Sequence, residues 1–156
     1  MHDLFVLVVG AVVVFGVANV VLGQGRGGVP RVVARELLTP REIAFWRLLR
    51  GVAEPYHVAP QVAMNALLNA EPGLDPKRRQ GTRNRFDRNV VDFALIDDDG
   101  SVRLLIELDD RTHRSDRDAA RDRMTERAGY STLRVNGREA REPHLLAAAI
   151  ADKIAA

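Results

Sequence analysis

The sequence predicts an α/β domain built around a mixed β-sheet, preceded by one N-terminal transmembrane helix. Three observations carry that expectation. Two apolar runs, Val90 to Ile96 and Arg103 to Leu108, are joined by Asp97-Asp98-Asp99-Gly100, which has the chemistry of a hairpin turn. Helical patterns lie before and after this pair, and a further short strand follows, so helices and strands share one compact unit. Ahead of all of them, Leu4 to Leu22 contains no charged residue and a single strongly polar one, Asn19.

The N-terminal run is long enough to cross a bilayer, which takes about 17–25 residues. A buried soluble helix of that length would show a polar side. A cleaved signal peptide would show a positive start, a shorter apolar core and a small-residue cleavage site, but the chain opens Met1-His2-Asp3 and Ala18 offers only a weak cleavage pattern. Residues 1–23 are therefore expected to form a retained anchor. Arg26, Arg31 and Arg35 follow the span, so the positive-inside rule places the C-terminal part in the cytoplasm. Gly23 to Pro30 (GQGRGGVP) has the composition of a flexible connection, and residues 24–35 read as a linker. The domain is expected over 36–156.

Within the domain, Thr39-Pro40-Arg41-Glu42 is a capping box with proline at the first helical position. Phe45, Leu48, Leu49 and Val52 then recur on one helical face, and Pro55 follows the helix end. His57-Val58 and Gln61-Val62-Ala63 read as a first strand interrupted near Pro60. Residues 69 to 88, rich in Pro, Gly and Arg, read as a polar loop. Ser115 and Asp118 can cap a helix that ends at Gly129, whose lack of a Cβ suits a left-handed cap. That helix is expected to turn Ala120, Met124 and Ala128 inward, with Asp118, Asp122 and Glu126 as an acidic ridge roughly opposite. Thr132 to Val135 is a short strand, Asn136-Gly137 a turn, and Pro143 opens a last helix with Leu146, Ile150 and Ile154 on one ridge.

Composition narrows the chemistry. The chain has no cysteine, which excludes disulfides and thiolate metal sites. All 23 Lys and Arg follow the span, as do all of the 21 acids except Asp3, leaving the soluble part mildly basic. That balance is weak evidence for a nucleic-acid partner. Lys77, Arg78, Arg79, Arg83, Arg85 and Arg88 concentrate in the polar loop, where they can track a phosphate backbone or simply be solvated.

The candidate site rests on acids placed inside apolar strands. Glu107 and Asp109 share one face of the strand Ile106-Glu107-Leu108-Asp109-Asp110, and Asp92 interrupts Val90 to Ile96. A buried carboxylate is costly unless a cation neutralises it. Three on neighbouring strands point to a hard divalent ion such as Mg²⁺ or Mn²⁺, and so to phosphate chemistry. The alternative is that these acids face solvent or pair with Arg88, Arg103 or Arg111. His113 is either a loop histidine or a metal ligand or general base beside Asp109. Arg117 and Arg121 either lie on a solvated helix face or border the acidic pocket and contact substrate phosphate.

Leu38-Thr39-Pro40-Arg41-Glu42 with Phe45, Val91-Asp92-Phe93, Ile106-Glu107-Leu108-Asp109-Asp110 with His113, Arg121-Asp122, and Ala128-Gly129 leading into Leu133-Arg134-Val135 occur in one order and spacing. Across roughly 36 to 137 this pattern resembles the bacterial domain-of-unknown-function family 2726, which is related to the PD-(D/E)XK nuclease superfamily. The resemblance implies a restriction-endonuclease-like αβββαβ core. It also implies that Asp92 is the first metal-binding aspartate and Glu107 the acid of the (D/E)XK strand, with Glu42 matching an acid that some members supply from the first helix. One departure stands out: Asp109 occupies the place of the usual lysine. Arg117, Arg121 or His113 would have to replace it. The expected function is a membrane-anchored, cytoplasm-facing nuclease that cleaves nucleic acid with Mg²⁺ or Mn²⁺ held by Asp92, Glu107 and Asp109. The alternative is an inactive nuclease-fold module that binds nucleic acid or a protein at the membrane.

Overall fold

The computed structural model describes residues 31–108 and 116–156, and residues 36–156 form one compact unit. The expected anchor lies outside the described residues, as do Asp109 and His113. Among the described residues no helix is long and apolar enough to cross a membrane.

The unit is an α/β structure with a four-stranded mixed sheet. Helix α1 (Pro40–Val52) leads into strand β1 (His57–Ala63), followed by the short helices α2 (Met64–Leu67) and α3 (Pro76–Arg83). Strands β2 (Val90–Ile96) and β3 (Val102–Leu108) come next, then helix α4 (Asp116–Arg127), strand β4 (Thr132–Val135) and helix α5 (Pro143–Ala155). The sheet order is β1-β2-β3-β4. The first three strands are antiparallel and β4 runs parallel to β3, a pairing that requires a crossover and finds it in α4.

Among the described residues two helix starts carry a side-chain cap. The Thr39 side chain accepts from the Glu42 amide at 3.3 Å, while Glu42 Oε2 accepts from the Thr39 amide at 2.6 Å. Two of the orphan donors of α1 are thereby satisfied. Asp75 Oδ1 accepts from the Arg78 amide at 3.0 Å and begins α3 with Pro76 behind it. The polar loop expected over 69–88 is corrected to this extent. Asp-Pro is a helix-start signal, but α3 buries no side chain and so has no apolar periodicity to read.

Hydrophobic side chains cover both faces of the sheet. On one side Phe45 and Leu49 of α1, with Leu146 and Ile150 of α5, pack on Phe93, Leu95, Leu104 and Ile106. The Phe45 and Phe93 rings meet at 5.3 Å with a 59° tilt, a geometry that aromatic quadrupoles favour. On the other side Met64, Phe86, Val91, Ala94 and Leu105 form a second cluster, against which Met124 of α4 and Tyr130 pack. Burying side chains of this size contributes about 1.5–3 kcal/mol each. The inward face of α4 differs from the expected stripe. Met124 packs inward as expected, but Thr125 is buried and Ala128, just past the helix end, is exposed.

Strand β1 is continuous, and its irregularity falls one residue past the expected break. Pro60 stands in the ladder opposite Phe93, tolerated because β1 is an edge strand. Gln61 has φ of 51° and is the only non-glycine residue with positive φ among the described residues. Such a conformation costs a non-glycine residue on the order of 1 kcal/mol.

Candidate active site at a fork in the sheet

The β2–β3 ladder runs from Ile96 opposite Val102 to Phe93 opposite Ile106 and stops there. Past that point β2 keeps only its pairing with β1, which runs the length of the strand and ends with Val91 opposite Val62 and Val90 opposite Ala63. Glu107 and Leu108 of β3 run instead beside Arg134 and Val135 of β4. The two central strands thus part at Asp92 and Glu107. The Asp92 side chain stands in for the missing ladder acceptor, its Oδ2 receiving the Leu108 amide at 2.9 Å. A buried amide left without a partner would be costly, so the aspartate is fixed by the fork that it completes.

Glu107 is 7% exposed and one of two buried polar residues among those described. Arg121 of α4 donates from Nη2 to Glu107 Oε2 at 2.9 Å, with both side chains largely enclosed. Next to this pair Arg134 grips Asp122 through bonds of 2.7 and 2.9 Å from Nη2 and 3.3 Å from Nε. Asp122 is therefore not on a solvated ridge: it anchors the arginine whose backbone lies alongside Glu107. The fork also reaches α1. Gln61 Nε2 donates to Glu42 Oε1 at 3.0 Å, so Glu42 is held by its own helix cap at one oxygen and by β1 at the other.

The electrostatics of the two acids follow from this enclosure. Burial raises the pKa of Asp92; the Leu108 amide opposes that rise, the negative charge of Glu42 adds to it, and Arg121 and Arg41 oppose it. Burial likewise pushes Glu107 up to about 7, against the guanidinium of Arg121 and with the help of the charge on Asp92. Two carboxylates that both resist ionisation beside each other have the chemistry of a cation site. Two carboxylates also meet the need of a hard divalent ion, which completes its shell with water and phosphate oxygens. Among the described residues no group of three His, Cys, Asp or Glu gathers at ligating distance.

Of the expected site residues, the fold brings Asp92, Glu107 and Arg121 together. Asp109 and His113 lie outside the described residues, as does the side chain of Arg117 at the start of α4. Arg134 and Gln61 escaped sequence reasoning. Arg134 was legible in principle, as a charge inside the apolar strand Thr132–Val135, the same signal that singled out Asp92. Gln61 offers no such signal, since its role arises from a backbone conformation.

The chain matches the family model described as Protein of unknown function (DUF2726) over residues 34–154, and it belongs to that family. The match takes in every element of the compact unit except the last residue of α5. No curated protein and no solved structure matches the chain.

Proposed function

We propose that this domain is a metal-dependent phosphodiesterase that cleaves nucleic acid and is tethered by residues 1–23 to the cytoplasmic face of a membrane. The observation that carries the reading is the pair Asp92 and Glu107, enclosed where β2 and β3 part, with Arg121 at 2.9 Å from Glu107. A relation to PD-(D/E)XK nucleases is supported by the arrangement of the principal elements, helix, three antiparallel strands, helix and parallel strand, with the two acids on the second and third strands. The tether rests on the uncharged run from Leu4 to Leu22 and the arginines after it.

Asp92 and Glu107 would hold Mg²⁺ or Mn²⁺, with Asp109 as a third ligand read from the sequence. When bound, the ion supplies charge that polarises the phosphodiester and lowers the pKa of water. Asp92 is kept in place by the Leu108 amide and needs no reorganisation to serve. Arg121 orients Glu107, and its fork of donors suits non-bridging phosphate oxygens. Arg121 would serve in place of the lysine that Asp109 displaces. His113 would carry a proton to or from the reacting oxygens.

The test is cleavage of plasmid, single-stranded DNA and RNA by the full chain in detergent with Mg²⁺ or Mn²⁺. Wild-type cleavage that falls at least 100-fold in both Asp92→Asn and Glu107→Gln supports the proposal. Cleavage that survives in both variants belongs to a contaminant and sinks it. The second reading, an inactive nuclease-fold module, is favoured by Asp109 standing at the lysine position. It predicts nucleic-acid binding with no cleavage under any of these conditions.

A further inference from the structure

A groove beside the fork is basic, concave and assembled from two separate segments. Arg85 and Asn89, from the turn between α3 and β2, face Ala120, Arg123, Met124 and Arg127 of α4 across it. Its walls connect to the acidic site along the chain, Ala120 preceding Arg121 in α4 and Asn89 standing three residues before Asp92. Its walls are ordered parts of the fold. Phe86 is 3% exposed in the second hydrophobic cluster, and the Asn89 carbonyl accepts from the Met64 amide at 2.9 Å.

The charge on this groove is not consumed by the fold. Among the described residues neither Arg85 nor Arg123 has a carboxylate partner, whereas Arg127 reaches Glu71 at 2.9 Å in an exposed pair. Among the described residues Glu126 is the one acid on the wall. Helix α3, which precedes Arg85 in the chain, carries the exposed Lys77 and Arg79. A protein gains nothing in stability from gathering unpaired like charges, so the arrangement calls for an anionic ligand.

We infer that this groove holds the phosphate backbone of double-stranded nucleic acid, and presents it to the Asp92–Glu107 fork. Single strands bound without sequence preference are held by stacking on aromatic rings, and none of the described residues lining this groove carries one. An anionic bilayer is the other anionic surface within reach of a tethered domain. It fits less well, because the basic residues line a concavity, and α3 (Pro-Lys-Arg-Arg-Gln-Gly-Thr-Arg) carries no apolar side chain to insert. The inference deepens the nuclease reading by naming the substrate's form and the surface that grips it.

The test measures binding of a labelled 20-base-pair duplex to the full chain in detergent with EDTA, so that no cleavage is required for the readout. The variants are Arg85→Glu with Arg123→Glu, the conservative Arg85→Lys with Arg123→Lys, and Arg47→Glu on α1 as a control on the other face of the sheet. The double reversal is expected to weaken duplex binding at least 10-fold. The lysine pair should keep it, and the slope of log K against log salt should fall by about 2 in the reversed protein. Equal loss in Arg47→Glu, or unchanged affinity in the double reversal, overturns the inference. So does tighter binding of a single strand, or a demand for Arg85 and Arg123 shown only by vesicles of phosphatidylserine and phosphatidylcholine. A groove that binds duplex while the chain never cleaves it would leave this inference standing and the hydrolytic reading fallen.

Discussion

Glu107 is where folding and chemistry pull in opposite directions. Its pKa of about 7 lies above its ordinary value of 4.5, so the folded state holds the proton more tightly than the unfolded chain does. By linkage its contribution is most favourable below pH 4.5 and is lost as pH rises toward 7, at a cost of about 3 kcal/mol. Chemical denaturation of the metal-free protein between pH 4.5 and 7.5 should therefore show stability falling with pH. Glu107→Gln should flatten that slope and leave the protein more stable at pH 7.5, while abolishing cleavage. A glutamine variant with the same slope as wild type would mean that the carboxyl is not the buried group described. Arg121→Ala should steepen the slope, because the guanidinium that favours the charged form is gone, whereas Arg121→Lys should restore part of the wild-type behaviour.

At the scale of elements, the regular pieces were legible because each advertises itself locally. The capping box of α1, the β2–β3 hairpin, β4 and α5 fall where the sequence places them. The inward side of α4 was legible only in part, since Met124 packs on the second cluster but Ala128 is exposed. Its partly enclosed polar residues Arg121 and Asp122 engage Glu107 of β3 and Arg134 of β4, groups that no local window contains. Gly129, just past α4, has φ of +88° and open space where a methyl group would stand. Gly129→Ala should accordingly cost about 1 kcal/mol of stability for conformational reasons alone. Thermal unfolding checks this, and an unchanged Tm would show that the left-handed cap is dispensable. The fork itself was half legible: Asp92 and Glu107 could be set on adjacent strands from the hairpin, but the parting of those strands could not. It depends on β1 and β4 each claiming the end of one of them.

For the whole molecule, the domain and its expected tether make separable claims. If residues 1–23 are a retained span, the full chain should stay in the membrane pellet after alkaline carbonate extraction. A protease added to inside-out vesicles should then digest the domain, and one added to right-side-out vesicles should not. Release into the supernatant would remove the tether without touching the site. The site's own claim is that enclosed acids at a parted sheet exist to hold a divalent cation, and calorimetric titration with Mn²⁺ at pH 7 tests it most directly. Wild type should bind the ion with release of protons, since Glu107 is partly protonated beforehand, and Asp92→Asn and Glu107→Gln should each abolish binding. Mn²⁺ affinity that is absent from the folded wild-type protein, or unaltered in both variants, would contradict it.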